Sequence, residues 1–331
     1  MDYIGNPKFI HNLWTYYNDC PDIYSLRTSK GYFEVDKQDA EDFLKFRGLC
    51  TGYNSQEKIS EISGIPKKKI SEMISSLNDI GCIRNIYDED SISSSDIFYK
   101  ICTACSMWAE QLEESHIFNA VLEGEYELNI LKGLLLETYH YIRLYPECLK
   151  SARDSTDDED LKNKLDIYYK QELGHEVYVI DCLIKLGFTK NEITESIPLV
   201  STQSLLNMIS SIFTKYPYSV PFIATVIEAE DYNEEIANNI RNAIQTNFGI
   251  GRDVLDGLIE HMKIDYELGH ANIIDAYKNN IKIKNLSDAH DILNSIHDIK
   301  HAFDVQKLEI IDYYSHAGNY IPRQRVDYFG V

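Results

Sequence analysis

The segment Gln171-Glu-Leu-Gly-His-Glu176 sets a carboxylate and an imidazole three residues apart, at Glu172 and His175. Within a helix, residues so spaced project from adjacent positions on one face and can bind the same metal ion. A lone Glu-x-x-His arises by chance in Glu-rich helices, so its weight depends on what accompanies it. A second Glu-Leu-Gly-His occupies residues 267–270, preceded by His261 and Asp265, which are four apart and share a helical face. Between the two copies, the strongly apolar run Pro221–Ile227 leads directly into Glu228. A charge ending such a run is either at the surface or held by something, and a metal is one way to hold it.

Three further groups have metal-like spacing. His270 lies about 140° from Asp265 around an ideal helix. It reaches the same centre only if a π-bulge or local unwinding near Gly269 turns it inward. Glu137 and His140 form a third Glu-x-x-His, one helix earlier. Glu137 is a candidate extra carboxylate, whereas His140 reads as an ordinary core or surface histidine. His297, His301 and Asp304 are also suitably spaced, but their lysine-flanked setting reads as a solvated face. The residue types suit one chemistry. Carboxylates bridge metal ions and change binding mode, while neutral imidazoles complete the shell and leave positions open for O2. Buried together, such carboxylates repel one another, and bound cations remove that cost.

These side chains need rigid elements to position them. From about residue 97 the apolar periodicity is helical throughout, with helices expected near 97–121, 127–150, 157–187, 202–215, 219–248, 251–281 and 287–316. The architecture expected is an all-α bundle over 97–320 with an irregular tail over 321–331. Residues 1–87 differ in character. Tyr24–Arg27 and Gly31–Val35 read as strands, and Asp36 caps a helix that ends near Gly48. Asn54-Ser-Gln-Glu57 is a capping signature for a second helix. Pro66 opens a third helix, with Ile70, Met73, Ile74 and Leu77 on its face, and Cys82–Ile86 could return as a wing strand. This is a winged helix-turn-helix pattern, joined to the bundle by an acidic, serine-rich linker at 88–96.

The order Glu-x-x-His, then a carboxylate ending an apolar helix, then His-x-x-x-Asp with a further histidine, resembles the haem-oxygenase-like diiron oxidases, or iron-containing redox enzymes. The likeness covers roughly residues 125–285, including QELGHE…LIKLG and IEHMKIDYELGH. It implies a haem-oxygenase-like helical bundle whose two iron ions are held by Glu172, His175, Glu228, His261 and Asp265. It further implies O2 as co-substrate and oxidation of amino acids, fatty acids or related small molecules. In that family the last histidine stands three residues after the aspartate, where this chain has Leu268. Residues 22–86 resemble the peptide-binding modules related to the chaperone of pyrroloquinoline quinone biosynthesis, the recognition elements of ribosomal-peptide-modifying enzymes. That likeness implies a leader peptide held as an added strand, and a peptide or amino acid as substrate. A structural or dimerising wing, giving a homodimer, is the alternative for this module.

Charge and composition limit the other readings. A net charge of −21 with few clustered cations makes nucleic acid a poor partner, despite Lys67–Lys69 at the start of the third helix. The first hundred residues themselves carry about −4. The chain starts with no secretory signal, and no apolar run approaches the ~20 residues that span a bilayer. Seven scattered cysteines, including a lone Cys102-x-x-Cys105, fit reduced thiols in a cytoplasm. Two alternatives stay open: a cofactor-free or mononuclear enzyme on the same fold, and a winged-helix regulator with a helical sensor domain.

Overall fold

The computed structural model describes residues 6–9, 14–20, 23–28, 31–80, 82–84, 93–228, 232–269, 273–283, 285–327 and 329–330. The chain divides into two compact units, residues 1–107 and 108–331.

In the first unit, β2 (Trp14–Cys20), β3 (Ile23–Thr28) and β4 (Gly31–Asp36) form an antiparallel sheet in that order, with Leu26 opposite Phe33. The second and third strands follow the sequence expectation. The first was not expected, because Asn18-Asp-Cys20 breaks its apolar alternation, and its register shifts between Tyr17 and Cys20. Three helices follow: α1 (Lys37–Arg47), α2 (Gln56–Ser63) and α3 (Lys67–Asp79). Ser55 caps α2 by accepting from Lys58 N–H at 3.3 Å, and Gly64 ends it in the left-handed region. Phe43, Phe46, Ile59, Ile70 and Ile74 form the core. The short β1 (Lys8–Phe9) pairs with β5 (Ile83–Arg84), the return strand expected after α3. Each lysine at the start of α3 is engaged by an acid: Lys67 by Glu57, Lys68 by Glu72 and Lys69 by both Asp39 and Asp42. Helix α4 (Ser94–Glu114) starts inside the stretch expected as linker, of which 88–92 lie outside the described residues. The division between the units falls within this helix.

The second unit is helical. After the last turns of α4 come α5 (Ile117–Leu122), α6 (Leu128–Asp154), α7 (Glu159–Glu172), α8 (Glu176–Lys185) and α9 (Lys190–Glu195). They are followed by α10 (Val200–Lys215), α11 (Val220–Ile227), α12 (Glu234–Phe248), α13 (Asp256–Leu268), α14 (Ile273–Tyr277) and α15 (Leu286–Ser315). Helix α6 packs against α7, α8, α10 and α15. Its buried residues, among them Leu131, Leu135, Tyr139 and Leu149, lie on several sides, as an interior helix requires. The tail beyond α15 is non-helical but tied back, with Ile197 N–H donating to Arg323 C=O at 3.0 Å. No helix among the described residues is long and apolar enough to cross a membrane, and Cys50, Cys105, Cys148 and Cys182 are free thiols.

The expected helices 157–187 and 251–281 are each interrupted, at the same place in the repeated Glu-Leu-Gly-His. Gly174 has φ +89° between α7 and α8, and Gly269 has φ +77° at the end of α13. Helical periodicity continues through both segments in sequence, but glycine adopts a left-handed backbone at little cost and ends the helix there. Glu172 and His175 therefore do not share a helix face. They flank a turn, Glu172 as the last residue of α7 and His175 just before α8. The expected helix 219–248 is likewise divided, with α11 ending at Ile227 beside Glu228.

Helices α8 and α13, which bring the two histidine segments together, touch closely at Gly257. A Cβ there would lie 2.1 Å from Tyr178 C=O and 3.1 Å from Cys182 Sγ. Gly257→Ala should therefore force the helices apart, lowering stability by about 1–3 kcal/mol in thermal unfolding.

Candidate metal centre

Helix α7 delivers Glu172, the turn at Gly174 delivers His175, and α13 delivers His261 and Asp265 one helical turn apart. His175 Nδ1 is 3.6 Å from Glu172 Oε2 and 3.7 Å from Asp265 Oδ1. His261 Nδ1 is 2.9 Å from Asp265 Oδ2, and the two imidazole rings meet edge to face with centroids 5.0 Å apart. His175, His261 and Asp265 can each offer a donor atom within 4.8 Å of the others, the one such group among the described residues. Glu172 and His175 are buried, while Glu228, His261 and Asp265 are partly exposed to the space beside them. The His297, His301 and Asp304 set forms no such group. His297 and His301 stack on each other, and Trp108 meets His297 edge-on.

Burial, reinforced by the Glu228 and Asp265 carboxylates, raises the Glu172 carboxyl well above the usual range. The cluster thus resists full ionisation and would accept positive charge. His261 Nε2 is buried with no hydrogen-bond partner among the described residues. A buried ring nitrogen in that position needs a partner. The donor set, two imidazoles with nearby carboxylates, fits a first-row divalent metal such as iron. Glu228 reaches the same region from the end of α11 and accepts a short hydrogen bond from the Tyr168 hydroxyl. His270 lies outside the described residues.

A cavity of about 240 Å³ adjoins the cluster. Glu172, Glu228, His261 and Asp265 line one part of it, and α6 supplies Leu134, Glu137, Tyr141 and Tyr145. Phe303 and Ile310 of α15, with Leu258 and Met262 of α13, add apolar wall. The tyrosines escaped the sequence reading, although Glu137, Tyr141 and Tyr145 recur every fourth residue and so share one stripe of α6. Tyr168, four residues before Glu172, has the same spacing signal.

Glu137 reaches the cavity wall with both oxygens already accepting. Leu199 N–H donates to Oε2 at 3.0 Å, the Thr202 hydroxyl to Oε2 at 2.5 Å and the Tyr314 hydroxyl to Oε1 at 2.9 Å. Burial raises its pKa, and these three donors oppose the rise. The carboxylate thereby joins α6 to α10 and α15. His140 is a core histidine: its Nε2 lies 3.0 Å from the Ser196 hydroxyl, and burial depresses its pKa to about 3. Glu137→Ala should leave two hydroxyls and a backbone N–H unsatisfied in the core. It should cost about 3–5 kcal/mol in denaturant unfolding.

No family model and no curated protein matches the chain. Two solved structures resemble it in fold. A domain of unknown function with a haem oxygenase-like fold from Shewanella denitrificans superposes with a TM-score of 0.53 at 18% identity, covering 69% of this chain and 98% of that one. A TenA homologue from Pseudomonas syringae pv. tomato gives 0.51 at 10% identity, over 69% of this chain and 100% of that one. At these identities the likeness establishes architecture alone: the protein carries a haem-oxygenase-like helical fold.

Proposed function

We propose that the helical unit is a non-haem, O2-dependent diiron oxidase or oxygenase. In this reading its metal ligands are Glu172, His175, Glu228, His261 and Asp265. The observation that carries the reading is the convergence of His175, His261 and Asp265, from two separate segments, within 4.8 Å at the edge of a cavity. His270, outside the described residues, stays in the proposed ligand set. Glu137, with three protein donors, is read here as a structural carboxylate rather than a ligand.

When bound, reduced iron would supply electrons to O2, chemistry that no side chain of this chain can perform. The protein's own contribution is positional. Asp265 holds the His261 ring through Nδ1, directing Nε2 toward the expected metal. Tyr168 orients Glu228 by its hydrogen bond. Leu258, Met262 and Phe303 exclude water from the substrate side. A cavity of 240 Å³ holds a small molecule or one side chain of a peptide, not a folded peptide segment.

The N-terminal unit is proposed to bind a leader peptide, which would add as a strand at an edge of the β2–β3–β4 sheet. Its three-stranded sheet followed by three helices supports this reading, and the pairing of Lys67, Lys68 and Lys69 with acids supports it over a duplex-binding one.

One observation favours a second reading. His175, His261 and Asp265 form a two-histidine, one-carboxylate set, sufficient for a single iron. Anaerobic loading with Fe(II) should give two irons per chain by elemental analysis, and one iron would instead select the mononuclear site. Either form should melt higher than metal-free protein. His261→Ala should lose most of the bound iron and most iron-dependent O2 consumption. Unchanged melting on chelation would defeat both metal readings.

A further inference from the structure

The stripe of α6 that faces the cavity contains a hydroxyl without a hydrogen-bond partner among the described residues. The Tyr141 hydroxyl is buried and makes no hydrogen bond among the described residues, although its side chain lines the cavity. Its surroundings make this unusual. Tyr168 donates to Glu228, Tyr145 lies 3.5 Å from the Tyr168 hydroxyl, and Tyr314 donates to Glu137. Tyr145, Tyr168 and Tyr314 are thus engaged.

The ring is held in place. Tyr145 stacks on it at 5.6 Å with planes 20° apart, and Phe303 meets it edge-on at 5.8 Å. A rigid aromatic pair therefore fixes where the hydroxyl points, and rotation away from the cavity would break both contacts. The hydroxyl's side chain shares the cavity lining with Glu172 and Glu228, whose carboxylates act on it electrostatically. Leu134, Ile142 and Ile310 make the lining largely apolar, with His116, Thr138 and Gln306 as further polar groups. No lysine or arginine lines the cavity among the described residues, so the protein offers an anionic ligand no cationic partner there.

A hydroxyl buried unsatisfied is destabilising, a cost that selection retains most readily where a ligand completes the bond. We propose that Tyr141 is a substrate-binding residue: its hydroxyl hydrogen-bonds the polar end of a small, mainly apolar molecule whose body lies along α6. The proposal rests on the cavity being the substrate pocket of the oxidase read above. It adds the group that would orient the substrate beside the metal ligands, and a substrate class with one uncharged polar end.

The test compares wild type, Tyr141→Phe and Tyr314→Phe, all full-length and Fe(II)-loaded under nitrogen, with 1-hexanol, hexylamine and hexanoate as probes. Tyr314→Phe removes a satisfied hydroxyl and should lower the melting temperature. Tyr141→Phe should leave it unchanged or raise it. Hexanol should bind wild type more tightly than the two charged probes, and Tyr141→Phe should bind it about five-fold more weakly. A fall in melting temperature with Tyr141→Phe as large as that with Tyr314→Phe would make the hydroxyl structural and overturn the proposal. Equal hexanol affinity in wild type and Tyr141→Phe, preference for a charged probe, or no binding of any probe would overturn it too. Iron content measured on the same samples separates the two readings. Hexanol binding lost in Tyr141→Phe without bound iron keeps the residue's role and removes the metal centre, whereas two irons without hexanol binding does the reverse.

Discussion

Placing several carboxylates and imidazoles side by side in a helical core is electrostatically costly, and that cost organises the second unit. Burial disfavours ionisation of the Glu172 carboxyl, and the Glu228 and Asp265 carboxylates beside it add to that penalty. Each needs a hydrogen-bond donor, a proton or a cation. Asp265 pairs with His261, Glu228 takes the Tyr168 proton donor, and the remaining imbalance is what a bound metal would relieve. The surrounding structure is arranged to keep these groups in place despite their mutual repulsion.

Two devices achieve this. Glycines let the backbone approach or turn where a side chain would not fit. Gly257 brings α8 and α13 into contact, Gly133 lets the Tyr314 ring lie against α6, and Gly174 turns the chain between Glu172 and His175. The second device is the hydrogen-bonded carboxylate of Glu137, which ties three helices together behind the cavity. Its three donors satisfy a buried acid near the cluster. The difference between Glu137 and Glu172 is thus one of neighbours rather than of residue type.

The contrast between the satisfied and unsatisfied tyrosines follows the same logic. A protein can stabilise a rigid aromatic wall through ring packing while leaving one hydroxyl for a ligand, because stacking and hydrogen bonding act on different parts of the side chain. Tyr141 and Tyr145 show this division within one helical turn. The cavity they border is lined mostly by apolar side chains, and the candidate ligands Glu172, Glu228, His261 and Asp265 line part of it.

Residue periodicity alone determined that the chain after about residue 97 is helical, and the repeated Glu-Leu-Gly-His with His261 and Asp265 marked where metal chemistry could lie. These features are local, so they can be read without a fold: a stripe recurs every three or four residues whether or not its partner helix is known. The strand Trp14–Cys20 was not legible because its alternation is broken, and the breaks at Gly174 and Gly269 were not, because glycine sits inside continuous helical patterns. Only the tertiary structure separated Glu137, held by donors 62 to 177 residues away in sequence, from Glu172 with the same Glu-x-x-His spacing. Only it, too, revealed the open hydroxyl of Tyr141. Whether a polar group is satisfied depends on chain segments remote in sequence, and spacing along one helix carries no information about them.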